Sequence, residues 1–175
     1  MCPKSTSNMT RRSKKLLVRK KFMALAIKEA KKAMAENDYA IGAVLVKGNK
    51  ILVSCSNRSK RDNNPVAHAE ALAIIAGSTI LKRRHLNDCI LYATHEPCPM
   101  CASLAVWARL RGIVYGARYQ DMRRYQKSHA NQHYLWRTIA ISCREIFKKS
   151  TEKIEVVSNF MRKECVQLFH NGTDK

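Results

Sequence analysis

The chain has 175 residues, room for one domain around one buried core and too few for two independent ones. Hydrophobic residues make up 46% and charged residues 26%, ordinary for a globular protein, and no apolar run approaches bilayer-spanning length, so a membrane role is not expected. The charge is less ordinary: 33 Lys+Arg against 13 Asp+Glu give +20, and with the eight basic residues of the first 21 positions removed the rest is still +12. A field of that sign attracts polyanions such as RNA, although a merely solvated basic surface carries the same charge.

The first 21 residues lack the apolar core of a secretory signal, which favours the cytoplasm; their basic, acid-free, hydroxyl-containing composition also suits an organellar leader. Seven cysteines, an odd number with no secretory signal before them, point to a reducing compartment and to metal ligation rather than a disulfide framework.

In chain order, residues 1–17 read as a basic flexible tail, and residues 18–175 as a single domain. Val18 to Glu36 carries an apolar stripe at three- and four-residue steps (Phe22, Leu25, Ala26, Ala30, Ala33, Met34), which predicts a helix. The β-branched runs Ala43–Val46 and Ile51–Ser54 flank Lys47-Gly48-Asn49-Lys50 and predict a hairpin. After a polar loop, Pro65 is expected to open a helix through Ala76, with Gly77 just past its end. Cys89–Thr94 reads as a buried strand, Cys98–Arg109 as a helix, and Ile113–Tyr115 as a strand closed by Gly116. Residues 117–151 show no clear period; Ile154–Val157 reads as a last strand and Phe160–Phe169 as a last helix. Alternating helices and short strands predict a three-layer α/β/α sandwich.

Two short segments carry the chemistry, His68-Ala69-Glu70 and Pro97-Cys98-Pro99-Met100-Cys101. Together they offer one imidazole and two thiols, a ligand set for tetrahedral Zn²⁺ (one ion per chain) with the fourth position open to water. Zinc lowers the pKa of such a water to about 7, so hydroxide is available at neutral pH. Both segments lie near predicted helix starts, and a helix N-terminus favours the thiolates of Cys98 and Cys101 through its dipole. Glu70 stands close enough to carry protons from the water to a ring nitrogen and then to the leaving amine. His-x-Glu alone is a weak signal, and Cys-x-x-Cys alone fits a redox pair. A closed structural zinc site would need a fourth ligand such as His95, Cys89 or Cys143, and would leave Glu70 and Pro97 without a purpose. Together, His-x-Glu and Pro-Cys-x-x-Cys form the signature of zinc deaminases that act on nucleobases.

The sequence resembles the cytidine and deoxycytidylate deaminase superfamily, most of all its bacterial tRNA adenosine deaminase and guanine or nucleoside deaminase branch. The resemblance runs from Phe22 to Arg118 and resumes over Lys153 to Phe169. It is carried by Gly42-Ala43-Val44-Leu45-Val46, Asn57-Arg58, Ala67-His68-Ala69-Glu70-Ala71, Leu91-Tyr92-Ala93-Thr94, Glu96 through Cys101, Trp107-Ala108-Arg109 and Tyr115-Gly116-Ala117-Arg118. It implies a mixed five-stranded cytidine deaminase-like sheet, zinc on His68, Cys98 and Cys101, Glu70 as general acid and base, and a substrate hydrogen bond from Asn57; Ala69 and Tyr119 are further expected substrate contacts. It also implies an oligomer, with a homodimer the expected form. Ala40 stands where the family usually has Pro, and Tyr119 where the tRNA-acting branch has Asp. Residues 120–152 do not match the tRNA-acting enzymes, look longer than the corresponding part there, and read as an insertion or lid.

Two substrates therefore stand side by side. One is a free nucleobase, nucleoside or nucleotide, favoured by Tyr119 and the 120–152 segment. The other is an adenosine or cytidine in tRNA or other RNA, favoured by the tail, Lys82-Arg83-Arg84, Arg109, Arg111, Arg118, Arg123 and Arg124. A catalytically silent RNA-binding subunit is a third reading, against which the presence of Glu70 with all three ligands argues.

Overall fold

The computed structural model describes residues 16–129 and 139–171. Its elements are α1 (Lys20–Ala35), β1 (Gly42–Lys47), β2 (Lys50–Ser56), α2 (Ala69–Leu81), β3 (Cys89–His95), α3 (Pro99–Trp107), β4 (Gly112–Ala117), α4 (Tyr119–His129), α5 (Cys143–Lys148), β5 (Glu155–Val157) and α6 (Arg162–Asn171). One five-stranded sheet runs in the order β2-β1-β3-β4-β5. β1 is antiparallel to both its neighbours, while β3, β4 and β5 are parallel, so the sheet is mixed as expected.

Side-chain alternation on the central strands builds two cores, one per face. Ala43, Leu45, Leu91, Ala93, Ile113 and Tyr115 point to one side and pack on Ala73 and Ile74 of α2, Ala102 and Ala105 of α3, and Cys143 and Phe147 of α5. Val44, Val46, Ile90, Tyr92 and Val114 point to the other and pack on Phe22, Met23 and Ala26 of α1, Met122 and Tyr125 of α4, and Cys165 and Phe169 of α6. These are the three layers. β3 and β4 are buried along their whole length, which is why both read as unbroken apolar runs rather than as alternating ones.

Four details differ from the sequence reading, each for a physical reason. α2 does not open at Pro65: Asn64 accepts the Val66 N–H through Oδ1 at 3.1 Å and the Ala67 N–H through its carbonyl at 3.1 Å, so Pro65 sits in a turn and the helix begins only after His68. Gly77 does not end that helix, because a Cβ there would fall on the Leu45 side chain; the glycine admits close packing of α2 on β1, and Lys82 ends the helix in the left-handed region (φ 49°). Gly116 likewise lies within β4, where a Cβ would fall on Cys165 Sγ of α6. The tail stops short of residue 17: Leu16 is buried, and its N–H reaches Glu155 Oε2 at 3.2 Å. Residues 1–15 lie outside the described residues, as do 130–138 within the proposed 120–152 insertion.

Candidate active site

One end of the sheet collects every residue singled out for chemistry. β2 ends at Ser56, β3 at His95 and β4 at Ala117, and β1 begins there at Gly42, paired with Ser56. Asn57, Cys98 and Tyr119 leave this end within three residues of a strand, and the Arg58 N–H to Ala67 carbonyl bond (3.0 Å) draws the His68 segment alongside. Ligand sites of open α/β sheets lie at such carboxyl ends.

His68 precedes α2 in extended backbone (φ −71°, ψ 145°), and Cys98 precedes α3 in the same way (φ −66°, ψ 166°). Pro99 supplies the pre-set φ of the first helical position, and Cys98 Sγ caps the helix by accepting the Cys101 N–H at 3.4 Å. His68 Nδ1 stands 3.5 Å from Cys98 Sγ and 3.5 Å from Cys101 Sγ, and the three donor atoms all lie within 4.8 Å of one another. Zinc bonds of about 2.3 Å to sulfur and about 2.0 Å to nitrogen, opened at a tetrahedral angle, put N and S about 3.5 Å apart. The donor set therefore fits zinc. Neither His95, Cys89 nor Cys143 joins this group among the described residues, so no protein atom there closes the fourth position.

The thiols are polarised against each other. The Cys101 thiol donates to Cys98, and with help from His68 and the Cys101 N–H this outweighs burial and brings the Cys98 thiol down to about 4. Cys101 moves well above its ordinary value, through that donation, burial and the neighbouring Glu70 carboxylate. Glu70 is thus within electrostatic reach of the ligand pair. It lies in the first turn of α2 and is 3% exposed. Ala69 is fully buried beside it, Asn57 is 1% exposed, and Tyr119, the first residue of α4, is half-buried.

Two buried carboxylates in this region went unread in the sequence. Asp38 accepts from Asn57 Nδ2 at 2.7 Å and from the backbone N–H groups of Lys60 and Arg61, each at 3.0 Å. Glu96, two residues before Cys98, accepts from the Tyr119 N–H through one oxygen and from the Cys143 N–H through the other, both at 3.1 Å. It therefore meets the first residues of α4 and α5 with one negative charge, where both helix dipoles favour it. The sequence signal for both was a lone acid in an otherwise basic chain, next to residues already singled out.

The remaining candidates have structural places. Cys89, Cys143 and Cys165 are buried core residues, and burial raises each thiol, the last two to about 12. His95 does not face solvent: it is 2% exposed, with Nδ1 3.1 Å from Thr94 Oγ1 and its ring 4.5 Å from that of Phe169. A groove of about 790 Å³ lies apart from the site, lined by Ile75, Leu104 and Trp107, and Trp107 is 81% exposed.

Comparison with known proteins agrees with this geometry. Residues 18–117 match the model for the cytidine and deoxycytidylate deaminase zinc-binding region. A tRNA-specific adenosine deaminase of Buchnera aphidicola is 32% identical over 151 residues, covering 85% of this chain and 84% of that protein. The guanine deaminase of Bacillus subtilis is 42% identical over 80 residues, which are 46% of this chain and only 51% of that enzyme. A chain solved in a study of A-to-I editing by tRNA wobble-position deaminases superposes with a TM-score of 0.72 at 29% identity, covering 86% of this chain and 99% of that one. With a His-Cys-Cys donor set at zinc spacing and a mixed five-stranded sheet behind it, the chain belongs to the zinc-binding cytidine and deoxycytidylate deaminase family and is a deaminase.

Proposed function

We propose that the chain hydrolytically removes the exocyclic amine of a free nucleobase or nucleoside, with His68, Cys98 and Cys101 holding one zinc ion and Glu70 moving the protons. The observation that carries this reading is the convergence of the three donors at 3.5 Å with a buried carboxylate within electrostatic reach of them. When bound, zinc supplies the Lewis acidity that makes water a nucleophile near neutral pH.

The chain's own residues do the rest. Glu70 takes a proton as the water oxygen bonds to the amine-bearing ring carbon, and gives it to the adjacent ring nitrogen. The second water proton then returns through Glu70 to the amine, the C–N bond breaks, ammonia leaves, and a carbonyl remains. Burial of Glu70 beside the two cysteines suits this duty, since it sets the carboxylate close to the donors that would hold the metal and out of bulk solvent. Asn57, Ala69 and Tyr119 would line the base.

The basic surface supports RNA less than composition suggests. Arg83, Arg109 and Arg111 are engaged by Asp88, Glu152 and Glu155. The second reading, a base within tRNA, rests on exposed Lys82, Arg84, Arg118, Arg123 and Arg124 and on the likeness to tRNA-specific deaminases over most of the chain. Ammonia release by the zinc-loaded protein separates the two. The panel holds adenine, guanine, cytosine, their nucleosides and nucleotides, and bulk tRNA. Turnover of a small compound, changing little between 50 and 200 mM salt, is expected. Turnover of tRNA alone, weakening steeply over that range, would overturn the free-substrate reading.

The partner we propose is a second copy, seated on the apolar α2–α3 face where Ile75, Ile80 and Trp107 are exposed. Among the described residues, no helix is long and apolar enough to cross a membrane.

A further inference from the structure

Asn57 is buried, and its polar atoms are unevenly used. Nδ2 donates to Asp38 Oδ1 at 2.7 Å and to Ser59 Oγ at 2.7 Å, which spends both amide hydrogens. Oδ1 is buried and has no hydrogen-bond partner among the described residues. The backbone N–H is taken by the Ile41 carbonyl at 2.9 Å. The amide thus has one unspent function, an acceptor.

Its orientation is enforced by charge. Asp38 is 5% exposed and accepts from Tyr39 N at 2.7 Å, Lys60 N and Arg61 N at 3.0 Å each, and Asn57 Nδ2. Both oxygens of this carboxylate are spent accepting from these four donors, so Asp38 presents an acceptor, and no donor, to the Asn57 amide. Turning the Asn57 amide over would set its carbonyl oxygen against that carboxylate and lose the Ser59 bond as well. Tyr39, Ala40 and Ile41, between Asp38 and the start of β1 at Gly42, fix the spacing that brings the carboxylate to the end of β2.

We propose that Asp38 is a positioning residue that locks the Asn57 amide with its carbonyl oxygen toward the base, so that the site selects a free nucleobase through a ring N–H that N-glycosylation removes. This rests on the deaminase reading above and narrows it. In adenine and cytosine the N–H at the glycosyl position is the sole donor besides the amine under attack. In their nucleosides that position carries ribose, and the remaining ring atoms there are acceptors that would oppose Oδ1. A buried acceptor left unmatched discriminates strongly, because it has already lost its water.

The test is equilibrium binding to the zinc-loaded full chain in a Glu70→Gln background, where bound bases are held unreacted. The ligands are adenine, guanine and cytosine, each beside its derivative methylated at the glycosyl nitrogen and its ribonucleoside. For at least one base, the N–H form is expected to bind about tenfold or more tightly than both substituted forms. In Asp38→Asn, whose side chain can itself donate, the Asn57 amide is free to turn, and the preference falls to within about threefold. A methyl group rejected by shape alone would still be rejected in that variant, so the loss reports on amide orientation. Asn57→Ala removes the acceptor with the Asp38 cluster left in place and loses the preference in the same way, which keeps the test decisive if Asp38→Asn does not fold. A preference retained in either folded variant, or missing for all three bases without these substitutions, overturns the proposal. Because the readout is binding, a failure of turnover in the parent enzyme would count against the deaminase reading and leave this test legible.

Discussion

Glu70→Gln lowers kcat by about 10²–10⁴-fold, the range that a positioned general acid and base contributes, with the fold and the metal kept. The amide has nearly the shape of the carboxylate, so the first turn of α2 and its packing are preserved. What it lacks is a basic oxygen, and hydrolytic deamination needs one twice, for the ring nitrogen and for the departing amine. Since the loss falls on steps that follow binding, kcat and kcat/KM drop together and KM changes little. Glu70 is not one of the three donors His68, Cys98 and Cys101, so the metal is retained. Zinc content by atomic absorption, a thermal melt and steady-state ammonia release on the same preparation check all three points. Turnover within about threefold of the unsubstituted protein would sink the assignment.

Cys98→Ala has the opposite signature: the metal goes first and activity follows. Cys98 holds three positions in the design. It stands 3.5 Å from His68 Nδ1, it caps α3 through the Cys101 N–H, and its thiol is brought down to about 4 chiefly by Cys101, so it carries the charge of the pair. Substituting even an outer partner of a metal ligand weakens binding by roughly 10–100-fold; removing the thiolate itself exceeds that. Loss of the cap adds destabilisation on the order of 1 kcal/mol. The melt should therefore fall modestly while zinc is lost on dialysis. Full zinc occupancy in Cys98→Ala would contradict the ligand set.

The site was legible because metal chemistry restricts residue types and spacing together. His68, Cys98 and Cys101 could be named from sequence, and Pro99 marked the start of α3, whereas α2 begins after His68 and not at Pro65. The strand assignments held for a similar reason: β1, β3 and β4 are covered on both faces, so their composition alone marks them. The errors fell where glycine and proline act through tertiary contact. Gly77 and Gly116 look like punctuation in one dimension, and in the fold they are places where Leu45 and Cys165 come too close for a side chain. Residues 117–151 stayed opaque because α5 has six residues with only Cys143 and Phe147 buried, and α4 turns only Met122 and Tyr125 inward among polar neighbours. The roles of Asp38 and Glu96 were not legible since a buried acid is defined by its partners, and apart from Tyr39 beside Asp38 those lie 19 and more residues away.

The most direct test of the central claim is a zinc titration of chelator-stripped protein, read as ammonia release from the best small substrate. The account predicts no release from the stripped protein and a linear rise that breaks at one zinc per chain, with Glu70→Gln flat throughout. Release that survives chelation, or that rises without a break well past one equivalent, would contradict a single catalytic zinc on His68, Cys98 and Cys101.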